Sequence, residues 1–202
     1  FLHSIELLRQ NYLSINNHMA NTDVFIFHTG DFNSTDLEVF ENHLGAVGVL
    51  RLVDLSGTKY WARPQSNADD RPEDWYAWPL FSEGYRRMMH WFAIDVWQFF
   101  DELNKETGCS YRYLFRLDED SFIHAPIEYD IFELTKTRKF VYGFRMCAYE
   151  MKVTQRMSNN WLKGHPRFAP QREIDLDMCG FYNNFFVADI NFFLSPDVSK
   201  FL

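Results

Sequence analysis

Two periods of apolar residues alternate along the chain. DVFIFHTGD (23–31) and AVGVLRLVDL (46–55) are short apolar, β-branched runs bounded by turn formers, which predicts two buried strands. Between them Leu37, Phe40 and Leu44 recur at helical spacing behind Ser34 and Thr35, either of which can cap a helix. Ile5 to Arg9 with Tyr12, Leu13 and Ile15 read as an amphipathic opening helix. From Ser82 to about Lys105 a long helix is predicted, with Met88, Trp91, Phe92, Val96, Phe99, Phe100 and Leu103 as its buried stripe.

Further on, the pattern predicts strands at 111–117 and 121–124, a helix at 130–138, a strand at 139–146 and a helix at 147–163. A strand over 181–193 runs into a turn, and Ser195-Pro196 opens a last helix. Strands alternating with helices predict one α/β domain over residues 1–202, with a mostly parallel central sheet flanked by helices. The stretch Ser56 to Pro79 is irregular, yet carries Trp61, Trp75 and Trp78. A solvated loop gains nothing from tryptophan, so these rings are expected to pack on the body or on a ligand.

Composition narrows the picture. With 47% hydrophobic and 24% charged residues the chain reads as globular rather than disordered. Its formal charge of −8 argues against a nucleic-acid partner held by bulk electrostatics, while a phosphate-bearing ligand bound through a metal stays open. No run of about 18 apolar residues spans a bilayer. The first residue is Phe1 rather than methionine, so a piece of a longer protein, truncated at both ends, is expected. The three cysteines lack metal-type spacing and read as buried small hydrophobes. Asn33-Ser34-Thr35 is a glycosylation sequon and favours a secretory route.

The candidate chemistry lies in YRYLFRLDEDSFI (111–123), where an apolar strand runs into three adjacent carboxylates. Ligands of open parallel sheets sit beyond the carboxyl ends of the strands, and strand alternation puts Asp118 and Asp120 on one side with Glu119 on the other. Two convergent carboxylates can share a divalent cation, which offsets their repulsion and leaves positions open for phosphate oxygens. A solvated acidic turn would carry the same three letters. A glycosidase would need a second acid further away, from Glu150 or Asp189.

GYRRMMHWF, then YLFRLDEDSFIHAPIEYDIF, then FVYGFRMCAYEMKVT with Trp161, and finally CGFYNNFFVADINFF resemble the ordered blocks of the fungal α-1,2-mannosyltransferases, family 15 of the glycosyltransferases. The resemblance runs from about Tyr85 to Phe193. It implies a GT-A fold, Mn²⁺ or another divalent cation, GDP-mannose as donor, a glycan or glycoprotein acceptor, and the Golgi lumen for a parent on an N-terminal anchor. It places Asp118 and Asp120 at the metal, Tyr85, Asp130 and Asn184 at the substrate, and Glu150 on the family's glutamate after YGF. It also implies a first strand before residue 1 and a metal-binding histidine after residue 202. Phe186 stands where the family has a glutamate proposed as the catalytic carboxylate. Asp189 or Glu150 is then expected to substitute, unless the reaction proceeds without an enzymic nucleophile or the chain is a non-catalytic relative that binds glycans or a partner.

Overall fold

The computed structural model describes residues 1–15, 22–45, 48–62, 82–149, 159–168, 179–181 and 184–200. Helix α1 (Leu2–Leu8) runs on into a π-helical turn, Arg9–Leu13, and buries Ile5, Tyr12 and Leu13. Strand β1 (Val24–His28) pairs in parallel with β2 (Leu50–Asp54), from Val24 opposite Leu50 to His28 opposite Asp54. Between them, α2 (Ser34–Leu44) is capped by Asn33, one residue before the expected Ser34 or Thr35. Asn33 Oδ1 accepts from the Thr35 and Asp36 amides, and the Asp36 carboxylate accepts in return from the Asn33 amide. This reciprocal box satisfies amides that the first turn would leave unpaired.

The predicted long helix is continuous from α3 (Glu83–His90) through a π-helical turn (Trp91–Asp95) to α4 (Val96–Thr107), where Gly108 takes the left-handed conformation (φ 72°) that ends it. Of its expected stripe, Trp91, Val96 and Phe100 are buried, while Met88, Phe92, Phe99 and Leu103 are half-buried. Trp97 lies outside that stripe and is buried as well, its ring stacked on Phe193 at 4.1 Å.

Strand β3 (Tyr113–Leu117), helix α5 (Ile131–Arg138) and strand β4 (Tyr142–Phe144) follow. Two short strands, β5 (Cys147–Tyr149) and β6 (Cys179–Phe181), pair antiparallel. Strand β7 (Phe185–Asp189) lies between β3 and β4 and is antiparallel to both. The mostly parallel sheet expected from the alternation is seen only in part: among the described strands β1–β2 pair in parallel and the other pairs are antiparallel. The reason is topological. β3 and β4 do run the same way around the crossover helix α5, but β7, from much later in the chain, inserts between them.

Other expectations shift for local reasons. Residues 121–124 form no strand, because their carbonyls are taken by the opening helix: Ser4 Oγ donates to the Ser121 carbonyl and Asn11 Nδ2 to that of Ile123, both at 2.6 Å. The strand expected over 139–146 is confined to β4. Residues 147–149 are strand rather than helix, and helix is present at 159–164. Residues 190–193 of the expected last strand are a short helix, Ile190–Phe193. The cysteine reading is corrected too: Cys109 is exposed and free, and Cys147 is disulfide-bonded.

Two apolar clusters result. One packs α1 and α2 on one face of β1, around Ile5, Tyr12, Phe40 and Leu44. The other packs α4 on β7, around Trp91, Trp97, Phe100 and Phe186. Trp61 packs against this second cluster; Trp75 and Trp78 lie outside the described residues.

Candidate active site

β3 reaches its end at Leu117, and the Asp118 amide donates to the Asn184 carbonyl at 3.1 Å, prolonging the pairing with β7 by one residue. The chain then turns, with the Ser121 amide donating to the Asp118 carbonyl at 2.9 Å. Asp118, Glu119 and Asp120 thus lie on a turn, so strand alternation does not decide which way they face. Asp118 is half-buried; Glu119 and Asp120 are exposed. All three line a cavity of about 620 Å³, together with Tyr85, Met88 and Arg116.

Arg116 is the residue that sequence reasoning missed. Its guanidinium is buried and grips Asp118 with two bonds, Nε to Oδ1 at 2.6 Å and Nη2 to Oδ2 at 3.1 Å. It lies 3.5 Å from the centroid of the Phe92 ring and 5.9 Å from that of Phe186, its partner across the sheet. Nη2 also meets Met88 Sδ at 3.6 Å. The signal was present: a lone arginine inside the apolar run YLFRL must find an anion or a ring, because a buried unpaired cation is costly.

The cost of crowding three acids is therefore offset, at Asp118, by the protein's own guanidinium. The offset is incomplete. Burial raises the Asp118 carboxyl above the usual carboxylate value, the Arg116 hydrogen bonds and charge pull it back, and the Asp120 charge raises it again.

The other expected residues separate into two groups. Tyr85 is exposed on the first turn of α3 and faces the cavity. Asn184 touches Asp118 through its backbone, and its buried Oδ1 has no hydrogen-bond partner among the described residues. Asp130 caps α5, its Oδ1 accepting from the Phe132 and Glu133 amides. Glu150 lies outside the described residues.

Asp189 lies at the other end of β3 from the acidic turn. It pairs with Tyr113 at the start of β3, whereas Asn184 meets Asp118 beyond its end. Five residues of extended chain separate Asp189 from Asn184, roughly 17 Å at ~3.3 Å per residue. Asp189 caps the helix Ile190–Phe193 by accepting from the Asn191 amide at 3.0 Å, and pairs with Arg112 at 3.1 Å. It is not among the residues lining the cavity, although Tyr113, opposite it on β3, is. Phe186 is buried in the second cluster, 5.1 Å from the Tyr142 ring and 6.3 Å from that of Trp97.

The donor set at the turn suits a hard divalent cation. It offers carboxylate oxygens from Asp118 and Asp120. Among the described residues no group of three or more His, Cys, Asp and Glu side chains converges.

No family model matches the chain. Its sequence is 26% identical over 129 residues to the glycolipid 2-alpha-mannosyltransferase of Saccharomyces cerevisiae, covering 57% of this chain and 28% of that protein. It is 22% identical over 134 residues to glycolipid 2-alpha-mannosyltransferase 2 of Candida albicans, covering 59% of this chain and 28% of that one. The chain thus spans under a third of these curated relatives. Among solved structures, the mannosyltransferase Ktr4p of S. cerevisiae superposes with a TM-score of 0.78 at 18% identity, over 98% of this chain and 54% of that one. Core-mannan synthase A of Aspergillus fumigatus, in its Mn/GDP form, gives 0.73 at 14% identity, over 99% of this chain and 58% of that one. The chain is similar in sequence to yeast α-1,2-mannosyltransferases, and in fold to the Ktr4 mannosyltransferases.

Proposed function

We propose that this chain is the central part of a metal-dependent glycosyltransferase of GT-A type, which moves mannose from GDP-mannose onto a glycan or glycoprotein acceptor. The carrying observation is the acidic turn at the end of β3: Asp118 is aimed by a buried arginine and lines, with Asp120 and Tyr85, one cavity. Similarity to α-mannosyltransferases, one of them solved with manganese and GDP, supports the same reading.

In this reading Asp118 and Asp120 hold the cation through their carboxylate oxygens, and Arg116 keeps the Asp118 carboxylate from rotating. The bound ion supplies Lewis-acid stabilisation of the charge that gathers on a departing diphosphate. Tyr85 and Asn184 face the donor, and Asp130 acts through α5, which it caps. Glu150 is the remaining matched acid for the reacting carbon, since Asp189 sits at the other end of β7.

The compartment fits. A disulfide at Cys147 suits an oxidising lumen such as the Golgi, and the exposed Asn33 sequon suits the same route. Among the described residues no helix is long and apolar enough to cross a membrane. Phe186 favours a second reading, a non-catalytic relative that binds glycans or a partner, because the side chain facing Arg116 across the sheet is apolar. Mn²⁺-dependent release of GDP from GDP-mannose by the full-length polypeptide, with an acceptor present, decides between them. Release that needs both Mn²⁺ and Asp118 supports transfer; donor binding without release supports the second reading.

A further inference from the structure

Asn33-Ser34-Thr35 is the one Asn-X-Ser/Thr triplet in the sequence, and its middle residue is not proline. It stands at the start of α2, with all three of its residues exposed. The disulfide at Cys147 suits a chain that folds in an oxidising compartment, where such triplets meet the machinery that modifies them.

The two ends of the Asn33 side-chain amide have different roles. Oδ1 accepts from the Thr35 amide at 2.8 Å and from the Asp36 amide at 3.4 Å, which caps the helix. The Asn33 main-chain amide is held in turn by the Asp36 carboxylate at 2.8 Å. Nδ2 donates to none of the described residues, and neither does the Thr35 hydroxyl. The shape of the triplet is therefore set through the side-chain oxygen and the main chain, and the fold makes no use of the side-chain nitrogen. Neither Asn33 nor Thr35 lines the cavity of the acidic turn, although Phe32 does.

We infer that Asn33 carries an N-linked glycan, joined through Nδ2 while Oδ1 continues to cap α2. In the transfer, Nδ2 bonds to the anomeric carbon of an oligosaccharide carried on a lipid diphosphate. The bond from that carbon to the diphosphate oxygen breaks, the oxygen leaves with the electron pair, and one Nδ2 proton is released. The product is still an amide, and its carbonyl oxygen keeps both lone pairs for the Thr35 and Asp36 amides. A triplet whose nitrogen was buried or bonded would give up a contact on modification; this one gives up only water. The added group is bulky and hydrated, and the exposed head of α2 has room for it. The inference rests on the secretory reading of the chain and not on the catalytic one.

The full-length polypeptide, made through the secretory pathway of a yeast, tests it by mass. The peptide containing Asn33 should carry sugar, and enzymatic hydrolysis of the glycosylated amide should convert Asn33 to aspartate. Thr35→Ala and Asn33→Ala should both run ahead of the parent on a gel by the same step, because each loses one glycan. Melting then separates the two ends of the amide. Thr35→Ala keeps the cap, whereas Asn33→Ala should melt about 2–4 °C below it, the scale of a lost N-cap in a domain of this size. The glycosylated parent should melt no lower than Thr35→Ala.

Unmodified Asn33 in a polypeptide whose Cys147 resists thiol alkylation overturns the inference and leaves the secretory reading standing. Unmodified Asn33 together with a reactive Cys147 thiol overturns both. A glycosylated parent that melts as low as Asn33→Ala also overturns it, because the sugar would then have displaced the cap.

Discussion

Two arginine–aspartate pairs occupy opposite ends of β3 and β7, and they are built in opposite senses. In Arg116–Asp118 the cation is buried, with 3% of its side chain exposed, and the acid is 26% exposed at the cavity. In Arg112–Asp189 the acid is 11% exposed and the cation 58%. A buried guanidinium held by rings and one carboxylate is an anchor, and the acid it holds still presents lone pairs outward. A buried carboxylate that caps a helix and meets a solvated arginine is turned inward. The first arrangement prepares an acid for a ligand, and the second fastens a helix to a sheet edge.

The largest expected effect comes from removing the anchor. Arg116→Met should cost about 3 kcal/mol, the scale for breaking a buried pair and leaving one charge behind. That lowers the melting midpoint by roughly 6–12 °C in a domain of this size. Arg112→Met should cost under about 1 kcal/mol, because an exposed partner is replaced by water. Equal losses in thermal melts of the two variants would break the comparison.

Next in size is Asp189→Ala, which removes a helix cap and should cost about 1–2 kcal/mol while leaving nucleotide affinity unchanged by calorimetry. A loss of nucleotide binding with the fold intact would return Asp189 to the site.

Tyr111→Phe should cost about 1 kcal/mol through the lost bond to Asp23. Burial first, and then the Asp23 bond, raise this hydroxyl well above its ordinary value of 10.0. A raised value means the fold favours the protonated form, so its contribution is full below pH 10 and is lost as pH climbs beyond. The stability gap between parent and variant should therefore close in alkaline melts.

The smallest effect sharpens the first pair. The Asp118 carboxyl is raised in the fold, so its contribution is greatest below the ordinary carboxylate value and declines as pH rises through the raised one. Asp118→Asn should flatten that part of the stability–pH curve, while Asp189→Asn leaves it in place.

What the sequence revealed and what it hid divide along local and non-local lines. The strand at Val24–His28 and the caps at Asn33, Ser82 and Asp130 are written in neighbouring residues, and could be read to within a few positions. The insertion of β7 between β3 and β4 joins residues about 70 apart in the chain, and alternation of elements carries no trace of it. The acidic turn was legible as a site because three carboxylates in a row are anomalous. Its partner was equally anomalous, one arginine in an apolar strand two residues upstream of Asp118, but the reading of the acids turned to a divalent cation and passed over it. Asp189 looked catalytic by its spacing from Phe186; only the register with Tyr113 shows that it faces the other end.

The central claim is that the Asp118 end of this sheet, and not the Asp189 end, is the ligand site. Titration calorimetry of GDP into the full-length polypeptide, with and without Mn²⁺, tests it most directly when run on the parent, Asp118→Asn and Asp189→Asn. The account predicts Mn²⁺-dependent binding in the parent and in Asp189→Asn, and at least a tenfold loss in Asp118→Asn, the scale of one missing charged contact of about 1.4 kcal/mol. Equal Mn²⁺-dependent affinity in the parent and Asp118→Asn, with the loss appearing in Asp189→Asn, would contradict it.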